Sequence, residues 1–286
     1  MTPVTIAHLA DLHFGRDVDL LQVEALEALI PEGRPDAIVV AGDLTQRARH
    51  GELQRALAFV QCMRRTAPTL VIPGNHDVEW WRSPLSLLGR EPIYRKYRQY
   101  FGPDLTPSLE IPGAVIASAL TSYGVTFGSM TWNPNDNAVK GHLPARELKR
   151  VTRYFQSAGD SNATRVVVLH HNVLRGAISH RMGLARWRAA QEGLAKTGAD
   201  LVLCGHDHQE GAGQIGGTVV VATASSHTIG RVRGNRAPAF NVVTIDDESI
   251  SVQHLRWDRP TLEFVASDLA RFGRARGTFP ALARES

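Results

Sequence analysis

The sequence predicts an α/β fold in which two sheets pack together and are flanked by helices. Three observations carry this expectation. Short β-branched runs alternate with stretches of helical periodicity over most of the chain. After Leu201 the alternation gives way to consecutive strand-like runs joined by short turns. No repeat, low-complexity stretch or long Gly/Ser/Pro linker divides the sequence.

Residues 4–9 read as the first buried strand, and residues 20–30 place apolar side chains at helical spacing. Residues 37–41 form the second strand. Residues 52–65 form the second helix, with Leu53, Leu57 and Val60 on one face, and residues 69–72 the third strand. Weaker helical patterns at 145–155 and 184–196 bracket a buried strand at 165–169, and a further strand follows at 201–204. Residues 218–222, 239–245 and 249–255 read as successive strands, with Asp246-Asp247-Glu248 in one of the turns. The folded domain is expected to span 1–259. Residues 260–286 are expected to form a C-terminal tail, with a short amphipathic helical piece at 262–272 before a basic, mobile end.

Composition narrows the class. The chain has 286 residues, of which 43% are hydrophobic and 21% charged; this is globular composition and excludes disorder or a fibrous repeat. Its longest apolar run, 114–120, falls well short of the roughly 18 residues that suggest a membrane-spanning helix. The first residues lack the basic-then-apolar pattern of a secretory leader. Two cysteines, Cys62 and Cys204, build no disulfide framework and suit a reducing compartment. The expectation is a soluble, cytoplasmic protein with no membrane partner. The net charge is only +4, with 32 Lys and Arg scattered against 28 Asp and Glu. Nucleic acid is therefore not a favoured partner.

The chemistry gathers where strands end. Asp11-Leu12-His13 follows the first strand, Gly42-Asp43 the second and Gly74-Asn75-His76-Asp77 the third. His170-His171-Asn172 closes the strand at 165–169, and Gly205-His206-Asp207-His208 follows the strand at 201–204. Functional groups of α/β sheets collect beyond the carboxyl ends of strands, so these five loops are expected to meet. Their carboxylate, imidazole and amide groups suit divalent transition-metal ions such as Mn, Fe or Zn. Asp11, His13, Asp43, Asn75, His170, His206 and His208 are seven candidate ligands, too many for one ion with an open position. Two ions sharing a carboxylate, about 3.5–4 Å apart, accommodate them. In extended chain, residues i and i+2 point the same way, so Asp11 with His13, and His206 with His208, are expected to face one metal centre.

Taken together, Asp-x-His, Gly-Asp, Gly-Asn-His-Asp, His and Gly-His-x-His resemble the calcineurin-like metallophosphoesterases across roughly residues 4–255, and most closely, in motif style, the bacterial class III cyclic-nucleotide phosphodiesterases. The Gly-Asn-His-Glu and Asp-Arg-Gly of the protein phosphatase branch are missing. The resemblance implies a four-layer α/β/β/α sandwich. It also implies one ion held by Asp11, His13 and His208, a second held by Asn75, His170 and His206, and Asp43 bridging them. His76 would be the catalytic histidine, with Asp77 orienting its ring. His170 matches the family position; its neighbour His171 stands as the alternative ligand and, with Arg231, as a candidate contact for substrate. Thr45, Gln46, Arg47 and Asn133 are candidates to line the pocket.

The implied reaction is hydrolysis of a small phosphodiester, cyclic nucleotides leading, by in-line attack of a metal-bridging hydroxide. A nuclease or phosphomonoesterase of the same fold is the alternative, and a non-catalytic metal-binding scaffold a remote one. A homodimer through the C-terminal segment is the assembly to test.

Overall fold

A computed structural model describes residues 2–15, 18–79, 91–131, 139–160, 162–217, 219–226 and 237–274. Two six-stranded mixed sheets lie face to face. The first contains β1 (Val4–Leu9), β2 (Ala37–Val40), β3 (Thr69–Val71), β10 (Ala239–Ile245), β11 (Ser249–Asp258) and β12 (Glu263–Gly273), in the order β12-β11-β10-β1-β2-β3. The second contains β4 (Ser108–Ile111), β5 (Ala114–Ser118), β6 (Thr164–His171), β7 (Leu201–Gly205), β8 (Gly211–Ile215) and β9 (Val219–Thr223), in the order β4-β5-β6-β7-β9-β8.

Alternation along the strands builds three apolar layers. On β1, Ala7 and Leu9 pack under α1 (Leu20–Glu32), α2 (His50–Thr66) and α3 (Arg95–Phe101), where they meet Leu26, Ile30, Phe59, Met63 and Tyr97. Ile6 and Ala10 point the other way, into an aliphatic layer between the sheets with Val39, Ile116, Val168, Leu203 and Val243. The outer face of the second sheet packs Val167, Leu169 and Val202 against Val151, Phe155 and Leu194 of α4 (Ala145–Ser157) and α5 (Trp187–Lys196). Helix, sheet, sheet and helix form the expected four-layer sandwich.

β1, β2 and β3 run parallel, as do β5, β6, β7 and β9. The carboxyl ends within each parallel set therefore share one edge of their sheet, and the loops leaving them supply the candidate site.

The C-terminal segment departs from the expectation. The piece at 262–272 is not helical: after Leu262 at the turn, it lies within β12, which pairs antiparallel with β11 from Asp258↔Glu263 to Ser249↔Gly273. Pairing thus extends through Gly273 rather than stopping at residue 259. The physical reason is a register shift between Gln253 and Leu255. On one side of it Phe264 joins the helix-covered core with Trp257, and on the other Phe272 packs into the layer between the sheets. A bulge that flips the buried face breaks period-two alternation and leaves apolar spacing that mimics a helix. The basic end at 275–286 lies outside the described residues.

Candidate metal centre

The loops after β1, β2 and β7 are stitched together by their backbones. Asp11 N–H donates to the Gly42 carbonyl at 3.0 Å and His13 N–H to the Asp43 carbonyl at 2.9 Å. From the opposite sheet, His206 N–H donates to the Asp11 carboxylate at 2.8 Å. Asp11 and His13 do not sit in extended chain as expected. Their φ values are 57° and 50°, and His206 and His208 lie at 77° and 53°. Left-handed turns, rather than strand pleat, aim these side chains. Two glycines permit the close approach. Gly42 has φ +86°, and a Cβ there would lie 2.7 Å from His170 Nδ1 and 2.8 Å from the Gly74 nitrogen. A Cβ on Gly74 would collide with the Asp43 carboxylate.

The side chains converge in two groups. Asp11, His13, Asp43 and His208 bring ligand atoms within 4.8 Å of one another, with His13 Nε2 and His208 Nε2 at 2.9 Å. His170, His171 and His206 form the second group, their ligand atoms within 4.8 Å of one another, with Asn75 between His170 and His206: its Oδ1 lies 3.0 Å from both His170 Nε2 and His206 Nδ1. The His-x-His pair is thus divided, one histidine to each group. Asp43 stands between the groups, its Oδ2 3.3 Å from His170 Nε2 and 3.7 Å from His13 Nε2.

The donors fit metal ions. Asp43 Oδ2 is buried and, beyond its approach to the His170 and His13 rings, has no hydrogen-bond partner, although a buried polar atom left in this state costs about 1–3 kcal/mol. Imidazole nitrogen, carboxylate oxygen and amide oxygen are the donors that Mn, Fe or Zn accept. Without an ion the electrostatics divide the site: His13, His206 and Asp43 are held in the forms that bind a metal, whereas Asp11 and His170 are held toward their protonated forms, which an ion would have to displace. Burial pushes His13 and His206 well below the usual imidazole range, leaving the neutral rings that metals require. Burial also raises the Asp11 carboxyl well above its ordinary value, with the Asp43 charge adding to it. Burial would raise Asp43 too, but His170, His76 and His13 outweigh it and hold that carboxyl well below the usual range. His170 moves the other way: burial lowers it, yet the Asp43 and Asp11 charges lift it to about 9.

His76 lies beside this centre, its ring edge-on to His13 with centroids 4.8 Å apart. Its backbone N–H donates to Asp43 Oδ1 at 2.8 Å, and its Nδ1–H donates to the Gln46 carbonyl at 2.8 Å. Asp77 therefore does not orient the ring, contrary to expectation. Its carboxylate accepts from the backbone N–H of Leu44, Thr45 and Gly74 at 3.0, 2.8 and 2.9 Å, and from the Thr45 hydroxyl at 2.8 Å. Asp77 thus clamps the Asp43 loop to the Gly74 turn. Burial, with the Asp43 charge behind it, pushes its carboxyl up to about 6.

Of the histidine doublet, His170 directs Nε2 at Asn75 and Asp43 and bonds the Ala41 carbonyl through Nδ1 at 2.9 Å. His171 has its nitrogens near Thr121 Oγ1 at 2.8 Å and the Val139 carbonyl at 3.2 Å, while its ring lies tilted against that of His206 with centroids 4.4 Å apart. It belongs to the second group by distance, although both its nitrogens have protein partners. Arg231 and Asn133 lie outside the described residues. Sequence reasoning missed Thr121 as a partner, since nothing links it to His171 until the strands pair. It also missed Asp207, which turns away from both groups to accept from the Ser179 hydroxyl at 2.6 Å and from Gln209, pinning the loop after β6.

A family model described as calcineurin-like phosphoesterase matches residues 4–210. A stretch of 107 residues is 33% identical to the glycerophosphodiester phosphodiesterase GpdQ of Enterobacter lignolyticus, covering 32% of this chain and 38% of that protein. Another, of 103 residues, is 28% identical to a transmembrane protein with metallophosphoesterase domain from Danio rerio, covering 34% of this chain and 23% of that one. The matched stretches thus span well under half of either relative. Among solved structures, a dimetal phosphatase from Danio rerio superposes with a TM-score of 0.62 at 13% identity, over 95% of this chain and 99% of that one. GAP50, described as the anchor in the inner membrane complex of Plasmodium, gives 0.58 at 12% identity, over 97% and 90%. A phosphatase and an anchor on one fold mean that the side chains, not the fold, must argue for activity.

Proposed function

This chain belongs to the calcineurin-like phosphoesterase family, and we propose that it hydrolyses phosphodiesters at a dinuclear centre, with cyclic nucleotides and similar small diesters as the leading substrates. The observation that carries the reading is the position of Asp43, one buried carboxylate within 3.7 Å of His13 and 3.3 Å of His170. Asp11, His13 and His208 would hold one Mn, Fe or Zn ion and Asn75, His170 and His206 the other, with Asp43 shared. Such ions supply charge neutralisation at the phosphoryl oxygens and a nucleophile available near neutral pH. The stretch similar to a glycerophosphodiester phosphodiesterase supports a diester over a monoester.

The chain's own residues do the rest. Asp43 Oδ1 is anchored by the His76 N–H, which leaves Oδ2 for the ions. The Gln46 carbonyl can only accept, so His76 carries a proton on Nδ1 and works through Nε2. In its imidazolium form, Nε2 protonates the departing alkoxide, which otherwise leaves poorly.

His76→Ala keeps the backbone N–H on Asp43 and is expected to keep both metals while turnover falls by about 10²- to 10⁴-fold. The defect is larger on an alkyl diester than on an aryl diester, whose leaving group needs no proton. Elemental analysis with turnover on both substrates checks this; a variant stripped of metal overturns the assignment. Wild-type protein reloaded with Mn²⁺ and tested on an aryl diester, an aryl monoester, 2′,3′- and 3′,5′-cyclic nucleotides and single-stranded DNA tests the substrate class. Hydrolysis of the monoester alone overturns the diester reading.

A further inference from the structure

A polar row interrupts the aliphatic layer between the sheets. His8 on β1, Asn241 on β10 and His254 on β11 are direct cross-strand partners, His8↔Asn241 and Asn241↔His254. They follow the alternation that sends Ile6, Val243 and Val252 into that layer. His8 and Asn241 are fully buried, and His254 nearly so.

Every polar atom of the Asn241 side chain is used. Its Oδ1 accepts from His254 Nδ1 at 2.6 Å. One Nδ2–H is donated to His8 Nδ1 at 3.1 Å, and the other crosses to the second sheet, to the Thr223 carbonyl of β9 at 3.0 Å. An amide oxygen only accepts and an amide nitrogen only donates, so the row has one direction. His254 carries its proton on Nδ1, and His8 leaves its own Nδ1 bare. Burial drives His8 down to about 3, against the pull of the Cys204 backbone carbonyl, which accepts from the ring, and so keeps it the neutral acceptor that the row needs.

Aliphatic side chains would fill this layer at lower desolvation cost, but dispersion contacts tolerate sliding where hydrogen bonds do not. The row also sits where sliding would matter. His8 is three residues before Asp11, and Thr223 pairs with Cys204, two residues before His206. Each ligand group draws on both sheets: Asp11, His13, Asp43 and Asn75 come from the first, and His170, His206 and His208 from the second. We infer that the His254–Asn241–His8 row is a positioning device that fixes spacing and register between the two sheets at the metal centre, holding both ligand groups in reach of Asp43. The inference rests on the dinuclear reading above.

The test titrates metal-free wild type, Asn241→Leu, His254→Leu and a packing control, Val252→Ala, with Mn²⁺, followed by calorimetry and electron paramagnetic resonance. Wild type is expected to take up two Mn²⁺ with the spectrum of a spin-coupled pair. Asn241→Leu is expected to lose the coupling and about 10- to 100-fold in affinity, the scale for groups that support metal ligands. His254→Leu, at the margin of the row and the variant more certain to fold, is expected to lose less in the same direction. Val252→Ala opens a void in the same layer and lowers Tm, but is expected to keep affinity and coupling. Wild-type affinity and coupling in both row variants overturn the inference, whatever their Tm. So does an equal loss in Val252→Ala, which would reduce the row to ordinary packing. A wild type showing no coupled pair overturns the dinuclear reading as well.

Discussion

The loops of the metal centre and the β11–β12 hairpin are built from one chain by opposite rules. In the hairpin, backbone groups pair along both strands, the side chains of Trp257 and Phe264 meet at 5.2 Å, and positive φ is confined to Leu262 at the turn. At the centre, Asp11, His13, Asp43, His206 and His208 all have positive φ, a conformation that costs of order 1–3 kcal/mol per non-glycine residue. Buried Asp43 Oδ2 and His13 Nδ1 there make no well-formed hydrogen bond within the protein, Asp43 Oδ2 having only the His170 and His13 rings nearby. The hairpin minimises local free energy, whereas the centre spends it on aiming donors at a point. Regular pairing and three apolar layers are what allow the loops to be so unfavourable.

The comparison breaks most visibly at Asp43. Asp43→Ala removes the carboxylate within reach of both ligand groups while keeping a Cβ at the left-handed position. Two-metal uptake is expected to disappear, and turnover to fall by more than the roughly 10⁴-fold upper range of acid–base assistance. Elemental analysis beside turnover on an aryl diester decides it. A variant that retained a metal pair would show that the strain at this loop serves something other than sharing ions.

Asp77 sharpens the contrast, because it is the device that holds the strained loops in place. Asp77→Ala strips the acceptor from three backbone N–H groups and one hydroxyl, all buried. Stability is expected to fall by about 3–5 kcal/mol, the range for breaking a buried charged network, as read by urea unfolding of the metal-free protein. Asp77→Asn does not restore it, since an amide N–H would face other donors. A loss under about 1 kcal/mol would mean that the Asp43 loop holds itself.

What the sequence revealed follows the same division. Strand order along the chain was legible from β-branched runs, and the seven ligand candidates from the polar clusters that end those runs, because both are local signals. The short strands β4 and β8 were not, and β5 registered only as an apolar run: Ser108–Ile111 and Gly211–Ile215 carry little apolar pattern and gain their form from pairing with β5 and β9. β12 was misread because the register shift opposite His254 scrambles its alternation. The left-handed backbone at Asp11 and His13 was equally hidden, since αL geometry in a non-glycine residue is imposed by contacts such as His206 N–H on Asp11. Asp77 was placed at the site but given the wrong partner. Its acceptors' partners lie at Leu44 and Thr45, and a motif shows that a carboxylate is present without showing what it binds.

The smallest expected effect lies at the hairpin's outer edge. Leu269 on β12 is 61% exposed and opposite Gln253, so its side chain buries little apolar area within the chain. Leu269→Ser is expected to change stability by no more than about 0.5 kcal/mol, as for surface positions away from special features, and to leave metal content and turnover alone. Urea unfolding of both proteins at two concentrations makes the measurement informative in either direction. A larger loss that grows with protein concentration would mean that this edge is covered by a second copy. The hairpin would then owe its regularity to an interface as well as to its own pairing.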